Sequence, residues 1–422
     1  MSMKHRLIIM NFLQFAVWGA YLTSMGSYLV SLNQTSHIGM FYAIQGIVSM
    51  FMPALIGVVA DRWVPAQKLY SLCHFIAGVF MIAAGYYGYS AGAGVEFSIL
   101  FTLYTISVAF YMPTLALSNS VAYSVLDKAG LDTIKAFPPI RIFGTIGFIC
   151  AMLFVDVTGY QHTHAQFFTS GILGLALAVY AISYLPDIAI VRSDGASKSI
   201  VESLGLDAFR LFRSRKMAIF FIFSMLLGVS LQITNGFANP FITSFKAIPE
   251  FVDSFGANHA NALISISQVS ETLCILLIPV FLRKFGIKKV MLIAMAAWAL
   301  RFGLFGVGDP GPNVWMFILS MIVYGVAFDF FNISGSLFVD KETATSIRSS
   351  AQGLFMLMTN GVGATVGTLG AQAVVSRFTH PIEHNGTYYT VGDWSSVWYI
   401  FAGYALVVAV LFAFIFNYKH RQ

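Results

Sequence analysis

The sequence predicts an all-α protein that crosses a lipid bilayer many times. Three observations point there. Of 422 residues, 58% are hydrophobic and 10% are charged, against about 25% charged in a soluble domain, and no soluble fold hides that much apolar surface. Apolar runs near or above the ~20 residues needed to span a bilayer recur along the whole chain. The basic residues gather in alternate loops, so the net charge of +6 reflects loops facing one side of a membrane. It does not point to nucleic-acid binding.

Taken in order, the first apolar run follows Lys4 and Arg6 and extends to about Val30. It is too long for a signal-peptide core and lacks a clear small-residue cleavage site, so it reads as a retained first helix. Twelve spans are expected, at 6–30, 38–60, 69–91, 97–122, 139–157, 165–185, 217–240, 258–282, 289–308, 313–338, 348–376 and 394–417. Pro138 and Pro139 suit the start of the fifth. With these spans, 20 of the 24 basic residues fall on the side of the N-terminus, Lys246 and Arg377 fall opposite, and Arg141 and Arg301 lie within spans. Such a bias puts both termini in the cytoplasm, and a miscounted pair of helices would have scrambled it.

The longest polar stretch, 186–216, reads as a cytoplasmic linker between six-helix halves at 1–185 and 217–422. Each half has a short charged loop after its second helix: GVVADRW, Gly57 to Trp63, and RKFGIKK, Arg283 to Lys289. Two six-helix halves related about the membrane normal are the layout of major facilitator transporters. Gly57, Asp61 and Arg62 also resemble that superfamily's loop motif of glycine, aspartate and arginine.

The chemistry lies in charges at membrane depth. Asp329 sits in the middle of the apolar stretch Ser320 to Val339. Such a group costs about 2.5–3.5 kcal/mol on insertion scales and usually marks a pathway, relay or ligand site. With Arg141, Glu271 and Arg301 the total reaches roughly 10–14 kcal/mol. Side chains three or four apart share a helix face, and four faces stand out: Arg141, Thr145 and Phe148; Gln232 and Asn235; Gln268 and Glu271; Asp329 and Asn332, beside Tyr324 and Phe328. Together they donate and accept in many directions and offer flat apolar walls, which suits a polar ligand carrying a ring. The competing role for Gln232, Asn235 and Gln268 is bonding between helices, worth about 0.6 kcal/mol each on average, and for Asp329 a pairing with an arginine that locks two helices. Arg301 has no polar neighbour at helical spacing and is open to a purely structural role. Gln14 and Trp18, four apart, are candidates for the same cavity. Gly361, Gly363, Gly367 and Gly370 allow close helix approach. Cys73, Cys150 and Cys274 form neither a disulfide framework nor a metal motif, and the histidines show no ligand spacing.

Several long motifs carry a specific resemblance. FLQFAVWG near the N-terminus, FMPALIGVVAD, FPPIRIFGTIGF, FFIFSMLLG with LQITN, SISQVSET, RFGIKKVM, SMIVYGVAFDFFNISGS and SAQGLFMLMTNG resemble the bacterial nucleoside:proton symporters of the major facilitator superfamily, the nucleoside and xanthosine permeases, over nearly the whole chain. The resemblance implies a major facilitator fold in the inner membrane and proton-driven nucleoside uptake. It implies the proton as coupling ion, no other cofactor, no enzymatic activity and no obligate protein partner. Carried over motif by motif, the family's substrate-site residues fall on Arg141, Thr145, Phe148, Gln232, Asn235, Gln268, Glu271, Tyr324, Phe328 and Asp329. The chain departs from the pattern in its loops and in the polar segment Arg377 to Asp393.

Asp329 and Glu271 are the candidate proton carriers, Asp329 first because it lies nearest the middle of its span. Arg141 comes from the N-terminal half and the other core polar residues from the C-terminal half, so a ligand held by both would couple to alternating access. The rival readings are a membrane sensor that binds a nucleoside without moving it, and a major facilitator transporter for another polar small molecule such as a sugar. No signalling domain, nucleophile elbow, phosphate loop or HExxH motif supports a sensor or an enzyme.

Overall fold

Apolar length fixes the elements. A computed structural model of the chain describes residues 2–188, 206–344 and 348–418, and these are mostly helical, since a backbone that cannot bond to water inside lipid must bond to itself. Apart from the one-turn helix Phe255–Asn258, the α-helices are α1 (Met3–Gly19), α2 (Met25–Ser31), α3 (Ile38–Arg62), α4 (Ala66–Ala91), α5 (Phe97–Lys128), α6 (Thr133–Val157), α7 (Ala165–Tyr184), α8 (Arg215–Leu231), α9 (Ile233–Ser244), α10 (Ala260–Val307), α11 (Val314–Glu342), α12 (Arg348–Met356), α13 (Ala364–Phe378) and α14 (Trp394–Ile415). Among the described residues, ten helical stretches are long and apolar enough to cross a membrane.

The difference from twelve expected spans has two sources. The first span is interrupted at residues 20–24, which leaves α1 with 17 residues and α2 with 7. The eighth and ninth run together as α10, 48 residues long, broken only at Gly286 (φ 73°, ψ 168°). Only glycine adopts that conformation without steric cost.

Three further boundaries differ from expectation. α6 begins a turn and a half early, at Thr133, so Pro138 and Pro139 lie inside it rather than at its start; each removes one backbone donor from the helix. The seventh span breaks at Gln232, which caps α8 and starts α9. The eleventh contains a π-helical stretch, Leu357–Gly363, between α12 and α13, a geometry frequent at functional sites.

The polar segment Arg377 to Asp393, expected only as a loop, holds a hairpin of β1 (Thr379–His384) and β2 (Thr387–Gly392). The strands are antiparallel, with Thr379 opposite Gly392 and His384 opposite Thr387. Asn385 (φ 52°) and Gly386 (φ 75°) make the two-residue turn, the pair that a turn with two positive φ angles demands.

Two compact units follow. One comprises Met1–Tyr28 with Ile47–Ser203, the other Leu29–Gly46 with Leu204–Gln422. In the first, α1 packs on α6 and α7, and α4 on α5 and α7; Leu7, Met10, Leu69, Tyr70, Val121, Val125 and Leu177 share one core. In the second, α10 packs on α11 and α14 around stacked and edge-on rings of Phe241, Phe302, Phe305, Phe317 and Trp398. Large apolar side chains such as Leu276, Val157 and Phe414 point outward, where lipid replaces the water that would otherwise oppose their exposure. Cys73 and Cys274 are buried, Cys150 is exposed, and all three are free thiols. Residues 189–205 of the expected linker and the side chains of Asp61 and Arg62 lie outside the described residues.

Candidate functional site

In the first unit, α6 presents Arg141 toward α1. Its guanidinium carbon lies 3.9 Å from the centre of the Phe15 ring, a cation–π contact that holds the fork in place. Thr145 follows half-buried one turn on, and Phe148 is buried. Phe148 meets Trp18 edge-on at 6.3 Å, and Trp18 in turn meets Tyr111 at 6.1 Å. The predicted face of Arg141, Thr145 and Phe148 therefore exists, backed by two rings of α1. Phe15 was not singled out from the sequence, although it lies three residues before Trp18, on the same turn of helix.

Gln14 turns out differently from its expected place in a ligand cavity. It is fully buried; its Nε2 donates to Thr114 Oγ1 at 2.8 Å, and its Oε1 accepts from Tyr70 Oη at 2.6 Å and lies 2.7 Å from His74 Nε2. Tyr111 Oη donates to the Gln14 carbonyl at 2.7 Å. Its amide is thus engaged by α4 and α5, in a buried network that fixes α1.

In the second unit, α10 and α11 carry the carboxylates. Gly325 lets the two helices close: a Cβ there would stand 2.6 Å from the Ser270 carbonyl and 2.7 Å from Cys274 Sγ, and the Ser270 hydroxyl donates to the Ile322 carbonyl. Glu271 and Tyr324, the neighbours of these two residues in sequence, are brought together as a result. Tyr324 stacks on Phe328, ring centres 5.5 Å apart and 15° from parallel, and Trp298 meets Tyr324 edge-on at 6.0 Å.

Asp329 is only 5% exposed, and Glu271 and Asp329 lie within electrostatic range of each other and of Tyr324. Asp329 Oδ2 is buried without a hydrogen-bond partner among the described residues. Buried polar atoms are nearly always paired, so this one calls for a functional explanation.

Arg301, whose role was open, lies with this group. It is 2% exposed, its Nη1 donates to the Ser320 carbonyl at 2.7 Å, and its guanidinium sits 4.7 Å from the centre of the Tyr324 ring and 5.3 Å from that of Phe305. The Ser320 hydroxyl returns a bond to the Arg301 carbonyl at 2.9 Å. It braces the helix that carries the carboxylate and puts a positive charge behind Tyr324. Only the ring of Phe305, one turn on, lies at helical spacing; the hydrogen-bond partner and the Tyr324 ring lie on the next helix, where spacing along α10 cannot announce them.

Gln232 and Asn235 bond to each other, Asn235 Nδ2 donating to Gln232 Oε1 at 2.8 Å, and both are half-buried at the break that separates α8 from α9. Gln268 is half-buried nearly one turn before Glu271. All seven predicted residues of the second unit thus lie on α9, its preceding junction, α10 and α11. No group of three or more metal-ligating side chains occurs among the described residues. The second unit by itself offers amide edges, a stacked pair of rings and two carboxylates; the first by itself offers a guanidinium beside Thr145 and Phe148.

Three comparisons bear on identity. A family model described as "Nucleoside H+ symporter" matches residues 1–421. The chain is 47% identical to the nucleoside permease NupG of Escherichia coli (strain K12), covering 100% of this chain and 97% of that protein, and equally to the xanthosine permease of the same organism over the same shares. A crystal structure of a point mutant of the nucleoside transporter NupG matches with a TM-score of 0.91 at 46% identity, over 99% of this chain and 100% of that one. An auto-inhibited POT family peptide transporter matches with a TM-score of 0.68 at 12% identity, over 100% of this chain and 98% of that one, a likeness of fold alone. On the strength of the full-length match and of motifs that recur from the first helix to the eleventh expected span, the chain belongs to the nucleoside H+ symporter family.

Proposed function

We propose that this protein imports nucleosides across the bacterial cytoplasmic membrane together with protons, by alternating access. The observation that carries the reading is the pair Glu271 and Asp329, held within electrostatic range of each other beside the stacked rings of Tyr324 and Phe328 in an otherwise apolar helix pair. The rings suit a base, and the amides of Gln232, Asn235 and Gln268 suit its edges and the ribose hydroxyls. Arg141, Thr145 and Phe148 complete the ligand set. A carboxylate can take up a proton on one side of a membrane and give it up on the other, and Asp329, with one buried oxygen left unpaired, is the first candidate; Glu271 is the second.

Two finer features belong to the same reading. The chain has twelve spans in two six-helix halves, 1–185 and 217–422, joined by the linker 186–216. A break in the first span and the run-on of the eighth and ninth account for ten long helical stretches in place of twelve. Both termini are cytoplasmic, because 20 of the 24 basic residues then face the cytoplasm.

The test is uptake by the purified, reconstituted protein. Vesicles with an acidic exterior should concentrate labelled nucleoside, and a protonophore should abolish the accumulation. Binding without accumulation under any imposed gradient would replace this reading with that of a sensor.

A further inference from the structure

We propose that the chain carries a second nucleoside site, a capture site beneath the β-hairpin. The proposal rests on the nucleoside reading above and adds a place where the ligand binds before reaching the carboxylates. The second unit contains a cavity of about 310 Å³ roofed by β1 and β2 and walled by α9, α13, the first residue of α14 and the segment just before α3. That volume is within the ~300–1,000 Å³ of small-molecule sites.

Its lining includes no aspartate, glutamate, lysine or arginine, and its one imidazole, His380, is exposed, so no fixed charge selects an ion and the ligand it fits is neutral. Trp394 and the fully buried Phe237 supply apolar ring walls, and Ser36, Ser376 and Thr390 supply hydroxyls. Rings that accept a base and hydroxyls that meet a sugar are the complement of a neutral ribonucleoside.

Thr390 gives a second, independent pointer. It is 2% exposed, and its hydroxyl has no hydrogen-bond partner among the described residues. A buried hydroxyl left unpaired costs stability unless something bonds to it. The walls around it are held by bonds of their own. Trp394 Nε1 donates to the Thr390 carbonyl at 2.9 Å. Gln372 Oε1 accepts from the Gly39 amide at 2.7 Å, while its Nε2 donates to the Thr35 carbonyl at 3.0 Å and to Ser376 Oγ at 2.9 Å. The cavity is therefore built before any ligand arrives, which lowers the ordering cost of binding.

None of its lining residues belongs to the predicted substrate set, yet α9 connects the two. Phe237 in the cavity wall is two residues beyond Asn235. The hairpin lies in the segment expected to face away from the cytoplasm, so the cavity would meet nucleoside on the side from which it is imported.

The experiment is equilibrium binding of radiolabelled adenosine and uridine to the purified full-length protein, with stoichiometry measured up to millimolar ligand. Wild type should bind two nucleosides per chain, one tightly and one weakly. Ser376→Trp, which fills the cavity from its exposed rim, should reduce this to one while the tight site and uptake at saturating substrate persist. Thr390→Val keeps the shape and removes the hydroxyl, and should weaken the second site about fivefold or more. Wild type binding a single nucleoside per chain overturns the capture site and leaves the transport reading standing. A second site unaffected by either variant overturns it as well. No binding and no uptake by wild type would sink both. Retained tight binding certifies that a variant is folded, and if Ser376→Trp loses it, Thr390→Val alone decides.

Discussion

In the proposed mechanism, Asp329 is where transport and proton movement meet. A group that carries a proton across must be neutral at one step and charged at another, and asparagine keeps its shape and much of its hydrogen bonding but cannot titrate. Asp329→Asn should abolish uphill, proton-driven accumulation while nucleoside binding and downhill exchange remain measurable in the same vesicles. Accumulation against a gradient by that variant would pass the role to Glu271, tested by Glu271→Gln. Arg141 is a question of geometry: its planar fork is oriented by Phe15, and lysine lacks the fork. Arg141→Lys should therefore lose most transport although the charge stays, and undiminished rates in the lysine variant would show a bulk-charge role. Gln232→Ala, Asn235→Ala and Gln268→Ala should each weaken nucleoside binding by roughly 5- to 150-fold, the equivalent of about 1–3 kcal/mol for an unsatisfied polar partner. Because Gln232 and Asn235 bond to each other, their double variant should fall short of the sum of the single losses. Strict additivity, measured by titration calorimetry, would mean that they act apart. The residues at i, i+3 and i+4 were legible from the sequence because one helix positions them. Gln14 and Arg301 were not, because the polar groups that engage them come from other helices: Thr114 lies 100 residues from Gln14 in sequence, and Ser320 lies 19 from Arg301.

Between elements, the approach of α10 to α11 decides whether Glu271, Tyr324 and Asp329 meet. Gly325→Val would drive a side chain into the Ser270 carbonyl and Cys274 Sγ, and overpacking of this kind costs about 1–3 kcal/mol. The variant should melt at lower temperature and bind nucleoside more weakly, whereas wild-type values for both would show that the helices can part without cost to the site. The start of α14 is a smaller device. Asp393 accepts the Ser396 amide at 3.0 Å and the Ser396 hydroxyl at 2.5 Å, and these bonds hold its carboxyl below the usual carboxylate range. A depressed pKa stabilises the folded form above the ordinary carboxylate value near 3.9 and loses that contribution as pH falls from there through the lower, folded-state value. The protection factor of the Ser396 amide, its exchange measured against the intrinsic rate at each pH, should therefore fall in acid, and Asp393→Ala should show the low protection at every pH; protection unchanged in the variant would rule out the cap. Apolar length made the helices legible, but not their interruptions at residues 20–24, Gln232 and Leu357–Gly363, since a break inside an apolar run changes no hydrophobic pattern. The hairpin did leave a signal. Asn385-Gly386 between Thr379–His384 and Thr387–Gly392 is a turn pair flanked by strand-length segments, obscured by the polarity of a segment read as a loop.

At the scale of the whole chain, the number of crossings and the side on which each loop lies are a single question, and α10 is where it is sharpest. Its 48 residues would extend about 72 Å as one straight helix at ~1.5 Å per residue, more than twice the ~30 Å apolar thickness of a bilayer. If α10 crossed once, Arg283, Lys284, Lys288 and Lys289 would lie near membrane depth, at about 2.5–3.5 kcal/mol each on insertion scales. If it crosses twice, the non-helical Gly286 puts the turn among those four charges, at the cytoplasmic surface where basic loops collect. The two arrangements differ in where the ends of α10 emerge. Single cysteines at exposed positions report this in intact cells through a membrane-impermeant maleimide, in a background with the exposed Cys150 replaced by serine. Asp253→Cys before α10 and Pro312→Cys after it should both label from outside, as should Asn385→Cys at the hairpin turn. Ala129→Cys, between α5 and α6, should label only after lysis. Protection of Pro312→Cys beside labelled Asp253→Cys would mean one crossing and an odd total. The full inverse of the pattern would keep twelve spans and put both termini outside, against the placement of 20 of the 24 basic residues.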